Sequence, residues 1–413
     1  MLNVGPGRRD LVISLAGRMT STFGDEVALV ALTLRLQADG ARPYEVAVLL
    51  AAGIVPLLAL ARPVGRLVDS QDSRRLLVAS GVSAVACTVA LIVVHSVVAI
   101  VVLVALLGAA ASVSGATWSA LVPRVVGEDH VAEAVSAQQS LNALALVGAP
   151  AVGGLLAGAF GSGPPLAVDA ATFVVLTVAA ALVRTRRRPA RLGEDGHPTR
   201  ARGGFEILLG DRVLGPLTFG VGLVLLLVGM VDVVLVFLVR STLHAGAVWY
   251  GVAEAARVAG MVIGSLGAGR LGTERVQTWA TIAGAGVACA ALAPFAAVPA
   301  VWMLVPLSVL GGIGNGCAGA CFSALLVGRT PDAERGRVSA AANGALGGAQ
   351  GVSLLIGGAV ASVLSLRAIY ATAGALGVAV AIGVAMASAR RSTRTTTTTR
   401  HLTLTRPLEE SES

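Results

Sequence analysis

Seven ionisable residues stand inside stretches that are otherwise apolar: Arg18, Asp25, Glu26, Asp169, Asp232, Glu254 and Arg257. At the centre of a bilayer such a side chain costs roughly 2.5 to 3.5 kcal/mol on insertion scales, so each needs a partner, a wet cavity or a task. Arg18, Thr22 and Asp25 recur at helical spacing, with Gly17, Ser21 and Gly24 beside them, which gives this segment a polar stripe facing protein or water. Arg18 and Asp25 are seven residues apart, about 10 Å along one helix, so each must find its partner elsewhere. Glu254 and Arg257, three apart, are spaced to pair with each other as an intramembrane ion pair. A carboxylate whose access alternates between two sides can load and release a proton. That chemistry points to Asp25 as the main protonation site, assisted by Glu26 or Asp232, with a purely structural Asp25 as the alternative. Asp169, about one turn inside the end of its segment, reads as an interfacial cap.

The elements that carry these residues follow from composition. Of 413 residues 55% are hydrophobic and 13% are charged, against roughly a quarter charged in a soluble domain. So little charge cannot cover a water-facing surface, and most of the surface must face lipid. Apolar runs long enough to cross a hydrocarbon core of roughly 30 Å fall at 11–35, 43–67, 76–94, 97–121, 133–160, 165–184, 213–239, 247–270, 276–297, 300–327, 335–365 and 368–389. The first is read as an uncleaved span rather than a signal peptide, because it carries Arg18, Asp25 and Glu26 and shows no small-residue cleavage site. The expectation is an all-α membrane protein of twelve transmembrane helices.

Charge orients them. All 31 basic residues are Arg, and 25 of these lie before the first span, after the even-numbered spans or in the C-terminal tail. Arg35, Arg42, Arg240 and Arg367 are the four on the opposite side. Positive charge stays in the cytoplasm, so both termini are expected there. The four cysteines lie within spans, none with metal-ligand spacing on a loop, and read as small packing residues.

The two halves repeat at an offset of about 204 residues. Gly65-Arg66-Leu67 returns as Gly269-Arg270-Leu271, Ser119-Ala120-Leu121 as Ser323-Ala324-Leu325, and Gly153-Gly154 as Gly357-Gly358; Val135-Ser136-Ala137 returns one residue out of register as Val338-Ser339-Ala340. Several matches in order on equivalent spans indicate a parallel duplication of six helices, the plan of transporters that hold substrate near the midplane between halves. The expected organisation is an N-terminal half at 1–185, a cytoplasmic hinge at 186–212 rich in Arg, Gly and Pro, a C-terminal half at 213–390, and a low-complexity tail at 391–413 expected to be disordered.

Two motifs carry a family resemblance. After the second span stands Gly65-Arg66-Leu67-Val68-Asp69-Ser70-Gln71-Asp72-Ser73-Arg74-Arg75, a Gly followed four residues later by Asp and then a basic pair. In the fifth span stands Gly148-Ala149-Pro150-Ala151-Val152-Gly153-Gly154. The first resembles the loop signature of the major facilitator superfamily, with Ser70 and Asp72 where Arg and Gly are usual. The second resembles the Gly-Pro-x-x-Gly-Gly signature of its antiporters and exporters, with Ala149 for a Gly. Together with Arg18 to Asp25, Asn142, Pro123-Arg124 and Val168 to Phe173, they are similar to the bacterial branch that contains the enterobactin exporter and macrolide efflux proteins.

The resemblance implies a major facilitator fold and a latch in which Gly65, Asp69, Arg74 and Arg75 close the cytoplasmic side, Asp69 meeting the start of the eleventh span near Glu334. It also places Asp25, Glu26, Arg18, Asp232 and Asn142 around a coupling cavity, and gives Gly148, Pro150, Gly153 and Gly154 an export-type role besides helix packing. The second half has Thr273 where the latch acid would stand, so the latch is expected to be asymmetric. The fourth span (97–121) lacks the intramembrane Arg that many drug–proton antiporters carry.

The function expected is secondary active transport, proton-coupled export of a bulky, partly apolar compound such as an antibiotic, a drug or a siderophore. The alternatives are import of a small metabolite or sugar, and, from another class, a non-transporting membrane sensor with the same fold. No nucleophile–His–acid set, metal cluster or phosphate-binding loop is present, so enzymatic activity and ATP hydrolysis are not expected. The expected partners are a small-molecule substrate, protons or another coupling ion, and the lipid of a bacterial cytoplasmic membrane, with no nucleic acid, no cofactor and no metal. The protein is expected to act as a monomer.

Overall fold

The structure, a computed structural model, describes residues 8–127, 130–187 and 204–403. Its helices are α1 (Arg8–Ala38), α2 (Pro43–Ala59), α3 (Ala61–Ser70), α4 (Ser73–Val93), α5 (Val97–Val126), α6 (Val131–Phe160), α7 (Gly163–Leu182), α8 (Gly204–Gly210), α9 (Leu214–Phe237), α10 (Ala247–Ala268), α11 (Glu274–Ala290), α12 (Leu304–Arg329), α13 (Asp332–Val360) and α14 (Leu366–Thr403). Among the described residues, eight helical stretches are long and apolar enough to cross a membrane, nine if α2 and α3 are one span. The long helices that fall short, α1, α10 and α13, owe it to their composition: α1 and α10 hold five of the seven intramembrane charges, and α13 carries Asn343, Gln350 and many glycines through its length. Packed among the others, they complete a bundle of twelve crossing helices in two sets of six.

Four boundaries differ from the sequence expectation, each for a local reason. The second span breaks at Leu60, where α2 and α3 meet at 55°. Pro63 has no N–H for the Ala59 carbonyl, and its ring crowds that oxygen. The ninth ends early, α11 giving way to a 3-10 turn at Ala293–Ala297 around Pro294. α9 runs into a π turn at Leu238–Thr242. The last span continues past 389 through the threonine run to Thr403, where disorder was expected from 391. No Pro or Gly interrupts that stretch, and extending a formed helix is cheap once it is nucleated. Most of the expected hinge, 188–203, and the last ten residues of the tail lie outside the described residues.

Within the first set, α1 packs on α6 and α7, α4 on α5 and α7, and α2 on α5; within the second, α9 packs on α13 and α14, α11 on α12 and α14, and α10 on α12. The sets meet mainly where α6 crosses α10 and α2 crosses α13. Both crossings are made by glycine pairs at repeat-related positions. A Cβ on Gly154 would lie 3.0 Å from the Gly251 Cα, and one on Gly358 would lie 2.8 Å from the Tyr44 Cα and closer still to the Ala47 Cβ. The neighbouring glycines face the first helix of their own set: Gly153 stands against the Val27 backbone of α1, and Gly357 against Met230 of α9. Only bare backbone permits approaches this close.

The apolar cores show which end is shut. At the end away from the termini a single cluster joins both sets, from Val30, Leu34 and Leu49 through Val234 and Phe237 to Tyr250, Leu354 and Tyr370. At the Arg-rich end the clusters separate. Leu11, Trp118, Leu121 and Val125 form one from the first set alone, and Leu217, Phe322, Leu325 and Val338 form another from the second. The molecule is closed at one end and parted at the other.

Replacing Gly251 by Ala should therefore cost about 1–3 kcal/mol through overpacking against Pro150 and Gly154. Gly148→Ala, whose Cβ would meet only the Phe23 ring at 4.0 Å, should be neutral. Thermal unfolding of the purified variants in detergent separates the two, and equal melting temperatures would show that the crossing has slack.

Candidate functional site

The polar stripe of α1 divides into two faces. Gly17 and Gly24 form a packing face on α7: a Cβ on Gly17 would lie 2.9 Å from the Ala179 Cβ, and one on Gly24 would lie 2.7 Å from Asp169 Oδ1. Arg18, Thr22 and Asp25 line a cavity of about 90 Å³ with Ser80, Ala84, Ser114 and Phe173. Asp25 is exposed to that space and accepts no hydrogen bond among the described residues. Arg18 finds its partner in an aromatic ring rather than an acid, its Cζ lying 5.9 Å from the Trp118 ring centroid, while its Nε makes no hydrogen bond. Such a cation–π contact is worth about 0.5–2 kcal/mol, depending on desolvation. Trp118 is itself fixed by donating Nε1–H to Gln138 Oε1 at 2.7 Å.

Asp169 is a residue that sequence reasoning misplaced. It is not an interfacial cap: only 2% of it is exposed, and it is wedged behind Gly24 of α1. Thr88 donates to its Oδ2 at 3.3 Å, and Thr172 donates to its Oδ1 at 3.4 Å. It stands within electrostatic reach of Asp25. The signal for it lay in the glycines opposite, which become informative only once α1 and α7 are known to touch.

A second charged cluster occupies the other set. Arg257 donates to Glu254 Oε2 from both Nη2 at 2.6 Å and Nε at 2.9 Å. Asp232 of α9 faces this pair and accepts from Gln350 Nε2 of α13 at 3.4 Å. With Asn315, Ser308 and the stacked rings of Phe295 and Tyr370, centroids 5.0 Å apart, they line a cavity of about 50 Å³. Glu26 belongs with this cluster: it lies within electrostatic reach of Glu254 and Arg257, across the boundary between the sets. Adjacent in sequence, Asp25 and Glu26 serve different halves. Asn142, on α6, has a buried Oδ1 with no partner.

The loop motif is arranged differently from the expected latch. In this conformation Asp69 pairs with Arg187 at 2.8 Å, a residue just beyond α7, rather than with the start of α13. Asp72, which stands where a Gly is usual, caps α4 by accepting from the N–H groups of Arg74 at 3.0 Å and Arg75 at 3.2 Å. Gly65 has open space around it. The second set does keep an acid, one residue beyond Thr273: Arg329 at the end of α12 pairs with Glu274 and with Asp211, the latter at 3.2 Å. Thr273 instead caps α11 through the Val276 N–H.

Asp211 ties this network to the start of α9. Burial alone would push its carboxyl up, but the N–H groups of Leu214 and Val213 and the Arg329 guanidinium outweigh it and hold the group below the ordinary carboxylate range. A carboxyl lowered on folding adds stability above its unfolded value near 3.9, and loses it as pH falls towards the folded value. Melting temperature should therefore fall with pH below about 4, and Asp211→Asn should flatten that slope while lowering the neutral-pH value. A slope unchanged in the variant would assign the acid sensitivity to other carboxylates.

Comparison with known proteins agrees with this architecture. The family profile of the Major Facilitator Superfamily matches residues 15–298 and 217–409, together most of the chain. No curated protein matches the chain by sequence. Among solved structures, the chain is similar to the nucleoside transporter NupG, with 13% identity and a TM-score of 0.68 over 92% of this chain and 98% of that one. It is similar to a bacterial homologue of the iron transporter ferroportin in an inward-facing state, at 17% identity and TM-score 0.66 over 91% and 98%. A POT family transporter in complex with 5-aminolevulinic acid superposes with a TM-score of 0.73 at 9% identity over 92% and 96%. At these identities the structures speak for the fold alone. A profile match spanning the repeat, and a bundle of twelve helices built from two sets of six, lead to one conclusion: the chain belongs to the major facilitator superfamily of membrane transporters.

Proposed function

We propose that the protein is a proton-coupled exporter of a bulky, partly apolar compound, such as an antibiotic, a drug or a siderophore, working by alternating access. One observation carries the coupling. The intramembrane clusters hold five carboxylates, Asp25, Glu26, Asp169, Asp232 and Glu254, against two guanidinium groups, those of Arg18 and Arg257. An excess of acids within the membrane-spanning bundle needs protons or other cations to balance it. Asp25 is the proposed loading site, because it faces a cavity, is unpartnered, and has Asp169 behind it. Glu26 then links the state of the first set to the Glu254–Arg257 pair of the second.

The two bodies that rock are 1–185 and 213–390, joined by the 186–212 hinge, and a monomer holds the complete path. The arginine asymmetry orients the Arg-rich, parted end towards the cytoplasm of a bacterial inner membrane. When that end closes, Asp69 is freed to exchange Arg187 for the positive start of α13, where N–H groups point outward. Export, rather than import, rests on the α6 motif and the branch resemblance. Gly153 and Gly154 have counterparts in Gly357 and Gly358 that pack alike, so what remains distinctive of the motif is Pro150 with Gly148.

Everted membrane vesicles under an imposed proton gradient, offered a panel of dyes, macrolides and siderophores, test this reading. At least one compound should accumulate, and Asp25→Asn should reduce gradient-driven accumulation about 100-fold, the loss expected when a group that carries the proton is removed. Asp169→Asn should shift the pH optimum. Full gradient-driven accumulation in Asp25→Asn would remove Asp25 from coupling. Gradient-driven loss, rather than gain, of a metabolite from everted vesicles would favour the importer.

A further inference from the structure

One cavity stands away from the middle of the bundle. It lies at the Arg-rich end of α4, measures about 690 Å³, and is lined by Gln71, Asp72, Arg74, Arg75, Arg186 and the apolar pair Val78 and Ala79. The side chains of Arg74, Arg75 and Arg186 form no ion pair or hydrogen bond among the described residues. The acids near them are committed elsewhere: Asp72 to the N–H groups that begin α4, and Asp69 to Arg187. Three guanidinium groups therefore face one space with a single carboxylate, that of Asp72, among its walls.

The cavity opens onto an apolar track. Arg75, Ala79, Val82, Ala86, Val89 and Val93 recur at spacings of three and four, and all are exposed, Val82 at 55% and Val93 at 72%. Among the described residues α4 packs mainly on α5 and α7, both of its own set, so this exposed face looks outward to lipid rather than towards the central cleft. Eighteen residues separate the two ends of the stripe, about 27 Å of helix, close to the thickness of the hydrocarbon core. Its one charged member, Arg75, stands where headgroups lie.

We propose that this cavity binds the phosphate headgroup of an anionic phospholipid, held by Arg74, Arg75 and Arg186, with its acyl chains lying along Ala79, Val82, Ala86 and Val89. A soluble phosphate would satisfy the arginines but leave the apolar track unused. Guanidinium groups suit a phosphate because their planar forks donate paired hydrogen bonds to its oxygens. The site also touches the conformational machinery: Arg187, next to Arg186, donates to Asp69 and to the Val68 carbonyl and, through its N–H, to Ser73. A lipid seated there would fasten the exit of α7 to the α3–α4 corner. The inference needs only the fold and not the proposed export, so the two fail separately.

The full-length protein, purified from nanodiscs of phosphatidylcholine with an equal share of phosphatidylglycerol, is examined by native mass spectrometry for the lipids it retains. Wild type should retain phosphatidylglycerol in preference, and each of Arg74→Gln, Arg75→Gln and Arg186→Gln should cut that preference about fivefold. Arg270→Gln, at the repeat-related loop, should leave it unchanged. Arg186→Gln alone serves if Arg74→Gln or Arg75→Gln fails to fold, since the Arg186 side chain is exposed and unbonded among the described residues. Equal retention of the two lipids, or a preference that survives Arg186→Gln and Arg75→Gln, would overturn the site. Displacement of phosphatidylglycerol by millimolar inorganic phosphate would overturn the lipid as its occupant, because a headgroup without chains should compete poorly.

Discussion

Backbone pressed against backbone at the glycine pairs is the constraint on which the rest of this molecule depends. Gly153 seats α6 against the Val27 carbonyl of α1, at 2.9 Å from where a Cβ would be, and Val27 directly follows Asp25 and Glu26. Gly357 seats α13 against Met230 of α9, two residues before Asp232. The same contacts that hold each set together thus fix the roll of the helix carrying its acids. Their neighbours, Gly154 and Gly358, bring the two sets into contact at α10 and α2. One four-glycine arrangement aims the charged side chains and forms the joint between the halves.

That arrangement explains why α1 can serve two sites. A helix with acids at consecutive positions presents them about 100° apart. Held in place by α6 and α7, α1 turns Asp25 into the cavity with Arg18, within electrostatic reach of Asp169, and Glu26 across the boundary to Glu254 and Arg257. The partners differ in kind. Arg257 is held by a double hydrogen bond to Glu254, a fixed pair; Arg18 rests over Trp118 with its Nε unsatisfied. A guanidinium held by a ring face rather than an acid can turn to a carboxylate at little cost, whereas breaking a buried double bond is expensive.

Sequence made the number and order of the helices legible, because hydrocarbon thickness imposes a length that any crossing segment must meet. The duplication was legible because glycines at backbone contacts tolerate little change, so Gly153-Gly154 and Gly357-Gly358 stand out at a constant offset. What stayed hidden depends on contacts distant in the chain. Trp118 lies a hundred residues from Arg18, and nothing in either segment names the other. Asp169 looked peripheral because its depth is set by Gly24 and Thr88, on two other helices. The contact of Asp69 with Arg187 stayed hidden because Arg187 lies more than a hundred residues away, just beyond α7. The break at Leu60 was in principle readable from Pro63, but Pro56, seven residues earlier, sits inside α2 without breaking it.

If, as proposed, the halves move as bodies about the glycine crossings, the two ends open in opposition. Electron–electron distances between spin labels test it directly, with one pair at Gln71 and Val327 on the Arg-rich end and another at Phe160 and Val363 on the far end, all exposed. Acidification or added substrate should shorten the first distance and lengthen the second within one sample. Distances that change together, or at one end only, would contradict the account.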